Sequence, residues 1–228
     1  MNETAKRVLD GRVLKVYRSD KADAPVVYSV DFMENGKGIL KTCWELGAPA
    51  FHLVTISHIH WDEDLSPWLS GPVVSKEDHF TGGADAFLRW ILDEAMPYTE
   101  GVLGNPPAPH VLCGYSMAGL FAMYAAYQTD RFDAFVSASG SLWYPQFFRF
   151  ATETELASAP KAIYLSIGDK ESNTKNRDLQ LTVGFTKDLA DIYAARGLNV
   201  KHELNPGNHY RSAGLRLAKG VTWALQQV

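Results

Sequence analysis

The chain has 228 residues, 46% of them hydrophobic and 21% charged, and carries a formal net charge of −4. That length buries one substantial core, and an acidic balance without a Lys/Arg cluster leaves no footprint for a nucleic-acid backbone. Cys43 and Cys113 are too few for a disulfide framework and sit in apolar runs, as buried thiols of a reducing compartment do.

The opening "MNETAKRVLDGRVLKV" has no continuous apolar stretch and no small-residue cleavage site, and nothing downstream reaches the roughly 18 apolar residues of a membrane span. A cytoplasmic protein with neither membrane nor nucleic acid as partner is expected. "RVLKVY" (Arg12–Tyr17) alternates as a half-exposed strand does, whereas "APVVYSVDF" (Ala24–Phe32) is a continuous apolar run of the buried parallel kind. "GILKTCWELG" reads as a helix stopped by Gly47, and "AFHLVTIS" as the next strand. A polar stretch bearing aromatics follows, from His58 to Gly83. From Ala84 to Met96 apolar residues recur at three- and four-residue spacing, which predicts an amphipathic helix. "HVLCGYS" is a strand and "MAGLFAMYAAYQ" a helix apolar nearly all round. "FDAFVSAS" and "KAIYLSIGD" are strands. Asp178–Arg196 is a helix ended by Gly197, "NVKHEL" a strand, and Ser212–Gln227 the closing helix. Strands alternating with helices predict one three-layer α/β domain over 1–228 with a mostly parallel sheet. Loops at the carboxyl ends of such strands collect ligand groups, so His58, Ser116, Asp169, Glu171 and His209 are expected at one end of the molecule.

"VLCGYSMAGLFAMYAA" (Val111–Ala126) carries the chemistry. A buried strand ends at Gly114, Ser116 stands at the bend, and a helix begins at once, which is the setting of a nucleophile elbow. Ala118 occupies the usual second glycine position of G-x-S-x-G, and Gly119 follows. The Met117 N–H, at the helix N-terminus, faces where an oxyanion would form. A serine needs a base, α/β-hydrolases place it after the serine in the chain, and only His202 and His209 lie downstream. His202 falls inside a strand pattern. His209 sits in "NPGNHY", a loop between the last strand and helix, and is the expected base. Asp169 and Glu171 both follow "AIYLSIG". The G-x-x-D turn common in α/β-hydrolases puts its last residue at Glu171, which is preferred as the acid, with Asp169 the alternative.

"LVTISHIHWDED" (Leu53–Asp64) offers a competing chemistry. His58, His60 and Asp62 resemble the H-x-H-x-D-H ligand run of metallo-β-lactamase-type hydrolases. Glu63 stands where that run has its next histidine, however, and no Gly-His-Thr-type loop follows. A mononuclear site from the pair is the alternative, since imidazoles and carboxylates bind zinc. The expectation is no metal and no cofactor, with His58 and His60 on the cleft rim as hydrogen-bonding groups for substrate.

Six segments in order resemble the putative-esterase family of α/β-hydrolases, which includes enterochelin-type siderophore esterases, esterase D, feruloyl esterases and mycolyltransferases. They are "VVYSVDF", "EDLSPW", "GGADAFLRWILDEAMPY", "GYSMAGL", "FVSASGSLWY" and "GNHY". The resemblance implies an α/β-hydrolase fold without a large cap, and hydrolysis of a small-molecule carboxylic ester through an acyl-enzyme. It also implies a second oxyanion donor just after Asp31, at Met33, although Phe32 replaces the family's glycine. An aromatic rim of Trp61, Trp68, Trp143, Tyr144 and Phe147 suits aryl or siderophore-type esters, with Trp143 and Tyr144 the expected substrate contacts. Lys170, Lys175, Arg177 and Arg211 are available to an anionic ester. A non-catalytic binding protein of the same fold is the remaining alternative.

Overall fold

The computed structural model describes residues 3–32, 34–104 and 109–228. Among them, eight strands form one sheet: β1 (Glu3–Leu9), β2 (Arg12–Tyr17), β3 (Val26–Val30), β4 (His52–Ser57), β5 (His110–Tyr115), β6 (Ala134–Ala138), β7 (Ala162–Gly168) and β8 (Val200–Asn205). Their order is β1-β2-β4-β3-β5-β6-β7-β8, with β1, β2 and β4 paired antiparallel and all pairs from β4 to β8 parallel. The parallel strands are continuous Val/Ile/Leu/Ala-rich runs because helices cover both faces. Between β3 and β5 the order reverses, since β4 lies on the far side of β3. That reversal opens a crevice at the carboxyl ends of β3 and β5, where Asp31 and Ser116 stand.

Two helices cover one face: α1 (Gly36–Glu45), ended by Gly47 at φ +74°, and α8 (Ala213–Leu225). The other face carries α2 (Trp61–Leu65), α3 (Ala84–Trp90), α4 (Met96–Leu103), α5 (Met117–Ala125), α6 (Phe147–Glu153) and α7 (Thr182–Ala195). Every residue of α5 is buried, as its unbroken apolar sequence predicts. Among the described residues no helix is long and apolar enough to cross a membrane.

The structure corrects several sequence expectations. β2 is mostly buried rather than half-exposed, because β1 pairs outside it and removes it from the edge. The helix expected over Ala84–Met96 runs on to Leu103 through a π turn at Ile91–Ala95, where the Met96 N–H reaches back to Ile91 O. Pro97 has no N–H to close a normal turn at that point, and one extra residue is accommodated just before it. The Asp178–Arg196 segment opens as a 3₁₀ turn, Leu179–Leu181, before α7 begins.

Candidate active site

Ser116 links β5 to α5 with φ +60° and ψ −123°, a conformation that non-glycine residues avoid at a cost of about 1–3 kcal/mol. Its surroundings hold it there. The Ser116 N–H donates to Ala138 O at 3.1 Å, and its carbonyl accepts the Ser141 N–H at 3.0 Å. Small residues permit the tight crossing of strand and helix: a Cβ on Gly114 would lie 2.3 Å from the Ala118 backbone, and one on Gly119 would lie 2.9 Å from Gly140 Cα. Alanine at 118 therefore packs against Gly114, while the true need for glycine falls one residue later.

The loop after β8 brings His209 over this serine. Its Nε2 lies 3.0 Å from Ser116 Oγ and its Nδ1 2.7 Å from Glu171 Oε2. The carboxylate partner assigns the proton to Nδ1, which leaves Nε2 to accept from the serine hydroxyl. The Tyr115 hydroxyl donates to the His209 carbonyl and anchors the loop from below. Glu171 is almost fully buried, and its second oxygen accepts from the Gly168 N–H and from Arg216 Nη1, each at 2.7 Å. Burial alone pushes its pKa up, but the hydrogen bond and charge of His209, with the Gly168 N–H, outweigh this and hold it below the ordinary carboxylate value. Asp169 points elsewhere: its Oδ1 accepts the Gly207 N–H at 2.7 Å and ties the histidine loop to the end of β7. Ser116, His209 and Glu171 thus come together, and Asp169 does not join them.

Met117 occupies the first position of α5, whose first-turn N–H groups have no acceptor within the helix. Met33 lies outside the described residues. Two groups escaped sequence reasoning. Ser141 Oγ approaches Ser116 Oγ to 3.5 Å, and Arg216 stands behind Glu171. For Arg216 a signal existed, since a lone cation sits within the buried face of the closing helix.

Two clefts meet at Ser116 and His209. One, of about 510 Å³, is walled by Val30, Phe32, Ile39, Trp61, Tyr115 and Leu217. The other, of about 450 Å³, is walled by polar groups including Asp62, Asp78, Ser141, Lys170 and Asn173, together with Trp143. Tyr144 does not fit its expected role as a substrate contact. It is buried, its hydroxyl donates to Trp68 O, and its ring packs edge-on against Trp68 and Phe80. Trp68 and Phe147 likewise pack the loops, whereas Trp61 faces the apolar cleft and meets Phe32 edge-to-face at 5.1 Å.

His58 and His60 line neither cleft, contrary to expectation. His58 Nδ1 lies 3.1 Å from Glu34, which Lys15 also engages. The acids of the same run serve the local fold. Asp62 accepts the His79 N–H at 3.0 Å, and Asp64 accepts the His60 N–H at 2.9 Å and Arg12 Nη2 at 2.7 Å. Among the described residues no group of three or more His, Cys, Asp or Glu is gathered as a metal ion would need. The Arg12 guanidinium is stacked over Trp90 at 5.0 Å, so removing Asp64 strands a mostly buried cation. Asp64→Ala is expected to destabilise the protein by about 3 kcal/mol, read from the urea midpoint at unchanged slope.

A family model described as "Putative esterase" matches residues 10–213. The chain belongs to this family. A siderophore enterobactin esterase of Emericella nidulans is 32% identical over 115 residues, which cover 44% of this chain and 37% of that protein. The chain thus spans well under two thirds of that curated relative. This esterase-family chain also shares its fold with solved structures. The siderophore hydrolase EstB of Aspergillus nidulans superposes with a TM-score of 0.80 at 17% identity, covering 98% of this chain and 96% of its own. An IroE-like serine hydrolase of Shewanella oneidensis gives 0.79 at 20% identity, covering 94% and 76%. The enterobactin esterase FES of Shigella flexneri, solved in the presence of enterobactin, gives 0.74 at 17%, covering 97% and 58%. The α/β-hydrolase fold is common to all of them.

Proposed function

We propose that the chain is a serine esterase that hydrolyses carboxylic esters through an acyl-enzyme. The observation that carries this reading is the continuous relay from Ser116 Oγ to His209 Nε2 at 3.0 Å and from His209 Nδ1 to Glu171 at 2.7 Å, on a strained elbow. Ser116 Oγ attacks the ester carbonyl while its proton passes to Nε2, and Glu171 steadies the imidazolium so formed. The Met117 N–H stabilises the tetrahedral oxyanion, a donor of a kind typically worth about 3 kcal/mol, and the family pattern assigns the second donor to Met33. Collapse breaks the bond to the leaving oxygen, which takes the proton from His209. Water then repeats the cycle on the acyl-enzyme, freeing the acid and Ser116.

The substrate we propose is an aryl or siderophore-type ester; the relatives named as a siderophore enterobactin esterase and a siderophore hydrolase support the siderophore type. Its apolar part lies against Phe32, Trp61 and Leu217, and its polar part between Trp143 and Lys170. The test is labelling with a fluorophosphonate, followed by a screen of p-nitrophenyl and catechol-bearing esters with and without chelator. Expected are stoichiometric labelling at Ser116 and turnover indifferent to chelator. Activity that chelator abolishes, in protein that takes no label, would sink the reading in favour of a metallohydrolase. Neither label nor turnover would leave a binding protein.

A further inference from the structure

We infer that Arg216 is a positioning residue for the Glu171–His209 pair, its buried guanidinium setting both the aim of the carboxylate and the height of the histidine loop. This rests on the serine-esterase reading above. Arg216 is the largest fully buried side chain in the molecule's described residues, with 1% of its surface exposed. A charge so placed is costly unless a counter-charge and hydrogen-bond acceptors stand beside it; both terminal nitrogens of Arg216 have them, while Nε is buried without a partner among the described residues.

The guanidinium fork spends its two ends differently. Nη1 donates to Glu171 Oε1 at 2.7 Å and to Ser139 Oγ at 2.9 Å, and lies 3.4 Å from the Tyr115 hydroxyl. Nη2 donates to the carbonyls of Pro206 at 3.3 Å and Asn208 at 3.0 Å, in the loop that carries His209. One rigid, planar group therefore grips the acid with one arm and the base-bearing loop with the other. Lysine, a single point charge, lacks that geometry.

The consequence lies in how a carboxylate is aimed. With Oε1 pinned by Arg216 and the Gly168 N–H, rotation of the Glu171 carboxylate is blocked and Oε2 is left to His209 Nδ1. Without the arginine, Oε1 loses its cation and keeps only the Gly168 N–H, so the carboxylate is held less firmly against turning. The backbone has been cleared for this contact: a Cβ on Gly168 would lie 2.9 Å from Nη1 and 2.8 Å from Nη2. Charge adds a second effect. Tyr115 and Tyr164 also lie in the field of Arg216, and Asp169 and Arg211 flank the same loop at Gly207. Neither tyrosine replaces a fixed positive charge at neutral pH. Deleting that charge raises the proton affinity of the Glu171 carboxylate, whose ionised form the relay requires.

The experiment compares wild type, Arg216→Met and Arg216→Lys, with active sites counted by fluorophosphonate titration so that unfolded protein drops out of the rates. For Arg216→Met, kcat per labelled site is expected to fall about 100-fold, the loss typical of a misplacement of about 1 Å, with KM within about threefold. The acid limb of its kcat/KM profile moves to higher pH. Arg216→Lys is expected to restore the position of that limb but only part of kcat, separating charge from fork. An Arg216→Met protein with lowered Tm but unchanged kcat per site and unchanged acid limb overturns the assignment, leaving Arg216 a packing residue. If Arg216→Met does not fold, Arg216→Lys decides alone: full wild-type kcat overturns the proposal. A wild type that takes no label and turns over no ester refutes the esterase reading instead, so the two failures are distinguishable.

Discussion

Ser116→Ala and His209→Ala are each expected to lower kcat by about 10⁴- to 10⁶-fold, with the double variant little worse than either alone. The non-additivity is the informative part. Ser116 Oγ and His209 Nε2 stand 3.0 Å apart as donor and acceptor of one proton, so removing either leaves the other with no chemistry to perform. Two independent contributors would multiply their losses. Stability should move in opposite directions: relieving a serine at φ +60° by Ser116→Gly is expected to raise stability by about 1 kcal/mol while activity is lost, measured as a shift in Tm. Turnover by Ser116→Ala within tenfold of wild type would remove the serine from the mechanism.

Glu171→Gln is expected to cost about 10³- to 10⁴-fold in kcat, against less than about threefold for Asp169→Asn. The two carboxylates sit two residues apart in one turn, and only their partners separate them. Glu171 accepts from His209 Nδ1, and a glutamine amide there would offer a donor to the wrong tautomer. Asp169 accepts a backbone N–H from Gly207, a role that the asparagine carbonyl can keep. The same contrast predicts a pH effect. Glu171 has its pKa lowered in the folded protein, so its stabilising contribution is present above the unfolded-state carboxylate value and lost as pH falls through the folded one. The stability difference between wild type and Glu171→Gln should therefore shrink on acidification below the ordinary carboxylate range, as urea titrations across that range would show. A difference that grows there would mean that Glu171 is not held ionised by its neighbours.

The legibility of the parallel sheet has a plain origin. Strands covered on both faces must be apolar throughout, so "VVYSV", "HLVTIS" and "AIYLSIG" announce themselves without any knowledge of their neighbours. β1 was invisible for the opposite reason. "ETAKRVL" is exposed along nearly its whole length, and only pairing with β2 makes it a strand. α6 and α2 are too short for periodicity to register: α6 is fixed by Phe150 packing on Trp68, and α2 by its acids, Asp64 on Arg12 and Asp62 on the His79 N–H.

The elbow, with its bend between a buried strand and a buried helix, was readable from local chain chemistry alone, because strain, small residues and an abrupt change of period all fall within one short segment. The choice of His209 followed from the absence of another loop-borne histidine downstream. Contacts among distant segments were beyond such reading. That His58 turns to Glu34, that Tyr144 goes under the loops, and that Arg216 reaches from α8 to both Glu171 and the Pro206–Asn208 carbonyls depends on the order in which strands lie side by side. A side chain's partner is set by whichever backbone the folded sheet places within about 3 Å of it, and the linear order of residues carries no such distance.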